Sequence, residues 1–333
     1  MNRVVYAVLA LVLAVALAGA AAWQRYTAFL DTPLPIPPEG AVFVLEPGSS
    51  GAGIVADLAA AGLTEPGWKW RLLMRLEPRL YRAGEYRLEA GSRPRDVLAL
   101  LASGRVIRYR VTLVEGWTFR QVAALLDANG VLQHRFDLSD PAAWPGVLEE
   151  LGLAHPEGWF LPETYLFVRG DSDLDLLRRA HEAMRETLDA AWAARRVGLP
   201  LESPYELLIL ASIIEKETAV ASEREEIAGV FVRRLERGMR LQTDPTVIYG
   251  IGETFDGDIR RRDLETDTPY NTYTRHGLPP TPIAMPGRAS LMAAAQPADG
   301  DTLYFVADGN GGHTFSVTLE EHQAAVRKLI NQP

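Results

Sequence analysis

The chain has 333 residues, of which 47% are apolar, so it can bury a sizeable core and is expected to form two or more domains. Its net charge of −9 argues against a nucleic-acid partner. The absence of cysteine excludes a disulfide framework and a thiolate metal site, and the six histidines show no metal-ligand spacing, so neither a metal nor a cofactor is expected.

Residues 1–23 are predicted to be a cytoplasmic stub and a membrane anchor. Val4 to Trp23 is an uncharged run of 20 residues, which is long enough to cross a hydrocarbon core of about 30 Å. Arg3 precedes the run and favours a cytoplasmic amino end. A cleaved signal peptide is the alternative, since small residues end the run, but the run exceeds the roughly 7–15 residues of a usual signal core. Both alternatives place the rest of the chain outside the cytoplasm.

Residues 24–40 contain four prolines and are predicted to form an extended linker. An internal repeat follows over 41–135, in which a short strand, a glycine turn and a short helix recur. The three copies begin near Val42, Tyr86 and Val111. This pattern predicts a small α+β module. The module serves either as a spacer that holds the rest of the chain off the membrane or as a glycan-binding module.

Residues 136–333 are predicted to form a second, mixed α+β domain. The aromatic segment 158–167 suits either sugar stacking or a seam between domains. The stretch 253–300 is irregular, and so long an irregular stretch is typical of a functional segment. Capping residues and apolar periodicity predict the remaining elements, which are helices over 174–196, 203–217, 222–238 and 318–330 and a β-hairpin over 303–317.

One predicted helix of this domain ends in two carboxylates, Glu215 and Glu217. The helix is apolar all round and is therefore expected to be buried, which brings the carboxylates to the interior or to the wall of a cleft. Residues two apart do not share a helix face. The face of Glu217 continues back over bulky side chains, namely Leu210, Ile213 and Ile214. Such surroundings should raise the pKa of Glu217 and let it act as a general acid. The alternative is that both glutamates cap a helix or pair with arginines.

Five motifs resemble, in order and spacing, those of the endolytic murein transglycosylases, the YceG-like family. They are Ala211–Thr218, Leu241–Gly250, Tyr270–Tyr273, Gly277–Pro280 and Leu303–Ala307. One departure is Glu163, which stands where the family is expected to have an aspartate. The resemblance implies an α+β fold with one transmembrane helix, a LysM-like module over 41–135, and a catalytic domain over 136–333 with a buried catalytic helix.

The resemblance further implies an inner-membrane enzyme, single-pass, with its catalytic domain on the periplasmic side. Such an enzyme cuts the MurNAc–GlcNAc bond of nascent peptidoglycan strands, leaves 1,6-anhydroMurNAc ends and so terminates elongation, and cell-wall synthases are its expected partners. Glu217, in the pair Glu217-Thr218, is the expected catalytic acid. The residues expected to bind the glycan are Gln242, Asp244, Thr246, Tyr249, Tyr270, Asn271, Thr272, Tyr273, Glu163 and Tyr165.

Two other functions stay open at this point. Asp244 offers a second carboxylate, and a glycosidase that hydrolyses its substrate uses two, so a hydrolytic muramidase is one alternative. The other is a non-catalytic glycan-binding scaffold of cell-wall synthesis, in which the repeats bind glycan and Glu217 is structural. The polar residues around Pro245 and Tyr270 also suit ordinary turn chemistry.

Overall fold

The computed structural model describes residues 2–330 and divides into two compact units. Unit 1 comprises the described residues up to Tyr109 together with Val168–Gly170. Unit 2 comprises Arg110–Phe167 and the described chain from Asp171 onward. The architecture is mixed α and β, as predicted, and the named strands pair into three two-stranded sheets.

Unit 1 begins with α1 (Asn2–Asp31), which is long and apolar enough to cross a membrane. Its residues from Arg3 to Arg25 are exposed. Residues 24–31 were expected to be extended but are helical. The helix continues because Tyr26 and Leu30, four residues apart on one face, pack into the apolar core of unit 1. The proline-rich segment is therefore non-helical only from residue 32 onward.

The rest of unit 1 contains the first two copies of the repeat. The elements are β1 (Ala41–Leu45), α2 (Gly51–Ala60), α3 (Trp68–Leu76), β2 (Gly84–Leu88) and α4 (Pro94–Ser103). The strands β1 and β2 pair antiparallel, with Phe43 opposite Tyr86. Both of these side chains are buried, so the pair closes one side of a core that the three helices complete.

Unit 2 begins with the third copy of the repeat. It contains β3 (Tyr109–Thr112) except for its first residue, and α5 (Phe119–Asp127), α6 (Trp144–Leu151), β4 (Thr164–Phe167) and α7 (Asp173–Ala193). The strand β3 pairs with β4 and not with the strands of the other two copies. The similar local sequence therefore gives the same strand and helix but a different sheet partner.

The remaining elements of unit 2 include one helix that is buried over most of its length. They are α8 (Pro204–Glu217), α9 (Arg224–Glu236), α10 (Asp244–Ile251), α11 (Arg261–Glu265), α12 (Arg288–Ala295), β5 (Tyr304–Ala307), β6 (His313–Ser316) and α13 (Leu319–Ile330). All residues of α8 from Leu207 to Ile214 are buried, as its apolar sequence predicts. The strands β5 and β6 form the predicted antiparallel hairpin.

Two details differ from the sequence prediction. Ser222, the first residue of the helix predicted over 222–238 and its predicted cap, does not cap α9, because a 3-10 turn over Ala221–Glu223 precedes the helix. Asp244 does not lie in an isolated turn. It begins α10, in which Pro245 takes an early position where its missing N–H costs no hydrogen bond.

Candidate active site

A cavity of about 470 Å³ lies in unit 2 at the C-terminal end of α8. Glu217, the last residue of that helix, is part of its wall. The cavity is lined by both polar and aromatic side chains. The lining residues are Glu217, Arg234, Leu241, Gln242, Asp244, Tyr273, Tyr304, Phe305, Val306, Leu319, His322 and Val326.

Glu217 is half-buried. The Thr243 hydroxyl donates a hydrogen bond to its Oε1. Burial raises the pKa of Glu217 to about 7, and the negative charge of Asp244 acts in the same direction. The Thr243 hydrogen bond and the positive charges of His313 and Arg234 oppose the rise. A substantial fraction of Glu217 is therefore protonated near neutral pH, as a general acid must be.

Glu215 has different surroundings. Its Oε2 accepts hydrogen bonds from the backbone N–H of Gly287 at 2.9 Å and from the Ser290 hydroxyl at 2.7 Å. Both donors belong to the first turn of α12 and the residue before it, so Glu215 caps that helix. The two acids of α8 thus differ as the helix-face argument predicts, with Glu215 holding a neighbouring helix and Glu217 facing a cavity.

Three of the residues expected to bind glycan lie in the wall of this cavity, and these are Gln242, Asp244 and Tyr273. The Tyr273 hydroxyl donates to Asp244 Oδ1 at 2.5 Å. Gln242 has a backbone φ of 50°, a left-handed conformation that residues other than glycine adopt rarely and that is often found at functional sites. This conformation lies between Leu241 and Thr243, with Gln242 in the cavity wall and the buried Thr243 hydroxyl on Glu217.

Three other expected residues are buried in a hydrogen-bonded cluster behind the cavity wall. The Thr246 and Thr272 hydroxyls lie 2.9 Å apart, and the Thr272 hydroxyl accepts from the Thr243 backbone N–H. The Asn271 amide donates to backbone carbonyls at the end of α11 and beyond it, including that of Thr266 at 2.7 Å. The two threonines hold Thr243 in place, and Asn271 holds the end of α11 and the residue that follows it.

Tyr249 and Tyr270 line a second cavity of unit 2, about 800 Å³ in volume. Their rings pack edge to face, with centroids 4.9 Å apart. The Tyr249 hydroxyl donates to Oε2 of Glu157 at 3.1 Å, and the Phe119 backbone N–H donates to Oε1 at 2.9 Å. Burial raises the pKa of Glu157 to about 7. The sequence analysis did not single out Glu157, although it directly precedes the aromatic segment 158–167.

The last two expected residues line neither of these cavities. The Glu163 carboxylate pairs with the Arg288 guanidinium at 2.9 Å on an exposed surface of unit 2. The Tyr165 hydroxyl donates to the Leu161 carbonyl oxygen at 2.7 Å. The structure therefore does not bring Glu163 and Tyr165 together with Glu217.

Arg234 is a residue of the cavity that sequence analysis missed. It lies on the buried face of α9 with Ile227 and Phe231, and an arginine at such a position is the signal that could have identified it. Its guanidinium donates to the carbonyl oxygens of Leu303 and Leu241, each at 2.7 Å. The bonded carbonyls hold this buried positive charge in the wall of the same cavity as Glu217.

His313 reaches the end of α8 through a short chain of hydrogen bonds. Its Nδ1 lies 2.7 Å from Oε2 of Glu223. The Thr218 hydroxyl donates to the same carboxylate oxygen at 3.2 Å. Thr218 follows Glu217 directly, so the start of β6 is connected to the backbone that carries the acid.

Together, these features place a carboxyl group of raised pKa, that of Glu217, in the wall of a cavity of a mixed α+β unit. A model of the YceG-like family matches residues 43–328. The chain therefore belongs to the YceG-like family.

Curated relatives agree with this assignment. An endolytic murein transglycosylase of Bacillus subtilis (strain 168) is 34% identical over 273 residues, which cover 75% of this chain and 74% of the relative. The endolytic murein transglycosylases of two Streptococcus pneumoniae strains are 28% identical, and the alignment covers 95% of this chain and 64% of theirs. A crystal structure of a yceG-like protein from Listeria monocytogenes matches 86% of this chain and 99% of its own, with 29% identity and a TM-score of 0.53.

Proposed function

We propose that this chain is an endolytic murein transglycosylase and that Glu217 is its catalytic acid and base. The observation that carries the proposal is the position of Glu217, whose burial raises its pKa to about 7 in the wall of a cavity. The names of the curated relatives support the substrate class, which is peptidoglycan glycan.

Cleavage would begin with neutral Glu217, which donates its proton to the glycosidic oxygen between MurNAc and GlcNAc as the C1–O bond breaks. The resulting carboxylate then takes the proton of the MurNAc C6 hydroxyl as that oxygen bonds to C1. No water is consumed, Glu217 regains its proton, and the new end is 1,6-anhydroMurNAc. Arg234, held by carbonyl oxygens, would stabilise the carboxylate between the two steps.

A hydrolytic muramidase is the second candidate, because Asp244 lines the same cavity as Glu217. Hydrolysis needs an ionised carboxylate that holds water or attacks the sugar. The Asp244 carboxylate already accepts a hydrogen bond from Tyr273 and raises the pKa of Glu217 through its charge. We therefore assign Asp244 to tuning Glu217 and to binding the glycan, along with Gln242 and Tyr273.

The helix α1 would anchor the enzyme in the inner membrane as a single pass, with the rest of unit 1 and all of unit 2 on the periplasmic side. Its length and apolar composition support this assignment. The strand–helix repeat over 41–135 would act as the LysM-like module, either as a spacer or as a glycan-binding element. Partners among the cell-wall synthases would supply the nascent strands.

The test is turnover of uncrosslinked glycan strands by the full-length wild-type, Glu217→Gln and Glu215→Gln proteins. General acid–base groups contribute about 10²–10⁴-fold to rate, so Glu217→Gln should lose at least about 10²-fold. Glu215→Gln is the matched control two residues away and should keep near wild-type turnover per folded molecule. Near wild-type turnover by Glu217→Gln would reject the assignment. Glycan binding without turnover by the wild type would favour a scaffold.

A further inference from the structure

The exposed face of α3 in unit 1 carries an apolar stripe between basic side chains. Successive residues of a helix are rotated by roughly 100°. One stripe therefore contains Trp68, Leu72 and Leu76, which lie four residues apart. Arg71 and Arg75 lie along one edge of this stripe. Lys69 lies at the other edge, because it is seven residues, about two turns, before Leu76. Trp68 is 41% exposed and Leu76 is 56% exposed, so part of this stripe has no covering within unit 1.

The basic side chains of this face carry unpaired positive charge within the described part of the chain. Lys69, Arg71 and Arg75 form no ion pair within the part of the chain that the structure describes. Of the two acidic residues that flank this helix in sequence, Glu77 pairs instead with Arg79 and Arg95, and Glu65 forms no ion pair among the described residues. A local excess of positive charge is notable in a chain whose net charge is −9.

This face lies beside the part of α1 that directly follows the uncharged run. Trp23 ends that run, and Tyr26 follows by three residues, a rise of about 4.5 Å. The ring of Trp68 is 6.5 Å from that of Tyr26, which is itself 5.5 Å from that of Trp23. Lys69 Nζ lies 5.4 Å from the ring of Phe29. The start of α3 is therefore fixed beside the first turns of α1 beyond the hydrocarbon core, where tryptophan and tyrosine are enriched in membrane proteins.

A groove between α2 and α3 adds room for a ligand at the same place. Its volume is about 590 Å³, and its lining is largely apolar, with Arg71 and Arg75 as its charged members. The two helices approach closely at Gly51, where an added Cβ would lie 2.8 Å from Met74 Sδ. An apolar groove that carries two arginines fits a ligand with an acyl or glycerol portion and a phosphate.

We propose that the exposed face of α3 is an interfacial surface that binds anionic phospholipid headgroups of the leaflet from which α1 emerges. Trp68, Leu72 and Leu76 would enter the boundary between headgroups and acyl chains, as the apolar face of an interfacial helix does. The three basic side chains would contact lipid phosphates. This inference rests on the proposed anchor. The inference goes beyond the anchor, because it assigns to unit 1 a second membrane contact, which fixes the orientation of unit 1 on the bilayer.

The absence of cysteine makes a direct test possible, since a single introduced cysteine is the only site that a thiol probe can label. The full chain would be inserted through α1 into nanodiscs of phosphatidylcholine, with or without phosphatidylglycerol, that contain a lipid with a quencher near the headgroup. The labelled positions would be Leu76→Cys on α3 and, as control, Val197→Cys, which is 96% exposed in unit 2. We expect strong quenching at position 76 in anionic discs, weaker quenching in zwitterionic discs, and little at position 197.

A charge variant then tests the basic side chains. The pair Arg71→Gln and Arg75→Gln should lower the docking equilibrium constant about 25-fold in anionic discs, since each basic side chain near such a surface contributes roughly fivefold. The matched control is Arg87→Gln with Arg105→Gln, which removes the same charge from exposed positions elsewhere in unit 1 and should leave docking unchanged.

Two failures are distinguishable. A chain that does not remain with the nanodiscs refutes the anchor and, with it, this inference. A chain that remains but shows no more quenching at position 76 than at position 197 leaves the anchor intact and overturns the interfacial role of α3. Equal quenching in anionic and zwitterionic discs, unchanged by the charge variant, would also overturn the assignment to anionic headgroups.

Discussion

Replacing Glu217 by glutamine should change how the stability of the protein depends on pH. The pKa of Glu217 is raised from an ordinary 4.5 to about 7, so the folded state favours the neutral form. Its contribution to the free energy of unfolding is therefore complete below pH 4.5 and is lost as the pH rises through about 7. Glutamine resembles the neutral acid at every pH, and its carbonyl oxygen can still accept the Thr243 hydrogen bond.

The magnitude follows from the two pKa values. Their difference corresponds to about 3 kcal/mol for a fully buried group. Because Glu217 borders an open cavity, solvent reduces this, and we expect about 1–2 kcal/mol. Relative to wild type, Glu217→Gln should thus gain about 1–2 kcal/mol of stability between pH 5 and pH 9.

The assay is urea unfolding in detergent across this pH range, followed by tryptophan fluorescence. Glu186→Gln, a change of the same kind at an exposed position of α7, controls for the loss of one formal charge. A difference between Glu217→Gln and wild type that stays constant from pH 5 to pH 9 would refute the reasoning, because it would mean that folding does not favour the neutral form of Glu217.

Three further predictions concern the neighbours of Glu217 and the anchor. Thr243→Val removes a hydrogen bond that lowers the pKa of Glu217, so the alkaline limb of the pH profile of kcat/KM for glycan cleavage should move up by roughly 0.5–1 pH unit. Asp244→Asn removes a negative charge that raises this pKa, so the same limb should move down by a similar amount. Shifts in the same direction would contradict this assignment. Glu215→Ala should cost about 1–2 kcal/mol of stability in urea unfolding, because it uncaps α12. Activity per folded molecule should be retained. An unchanged stability would argue against the cap. Protein recovered from membranes should retain residues 1–23 on N-terminal sequencing, and a mature chain starting between Ala21 and Gln24 would indicate a cleaved signal.

The parts of the fold that depend on local sequence could be predicted. Ser203 and Pro204 mark the start of α8, and the hydroxyl of Ser203 accepts from the Glu206 N–H as expected of a cap. The apolar sequence of α8 predicts its burial and the difference between its two glutamates, because a helix fixes which residues share a face. The same local rules predict the β5–β6 hairpin and the cap of α13 by Thr318.

The parts that depend on distant contacts could not be predicted. The similar copies of the repeat gave no indication that β3 pairs with β4, since strand partners are set by tertiary packing. Arg234 enters the cavity wall only because carbonyl oxygens from residues 241 and 303 receive it. The Tyr270–Tyr273 motif suggested one binding surface, yet Tyr270 and Tyr273 line different cavities while Asn271 and Thr272 are buried between them.

The most direct test of the central claim is the mass of the glycan ends that the full-length enzyme produces. If Glu217 acts alone as acid and then as base, the MurNAc termini should be 1,6-anhydro ends, lighter by one water than hydrolysed MurNAc and resistant to borohydride. Glu217→Gln should produce none of them. Termini that carry the water and can be reduced would contradict the account, and Asp244, in the wall of the same cavity, would then become the second carboxylate of a muramidase.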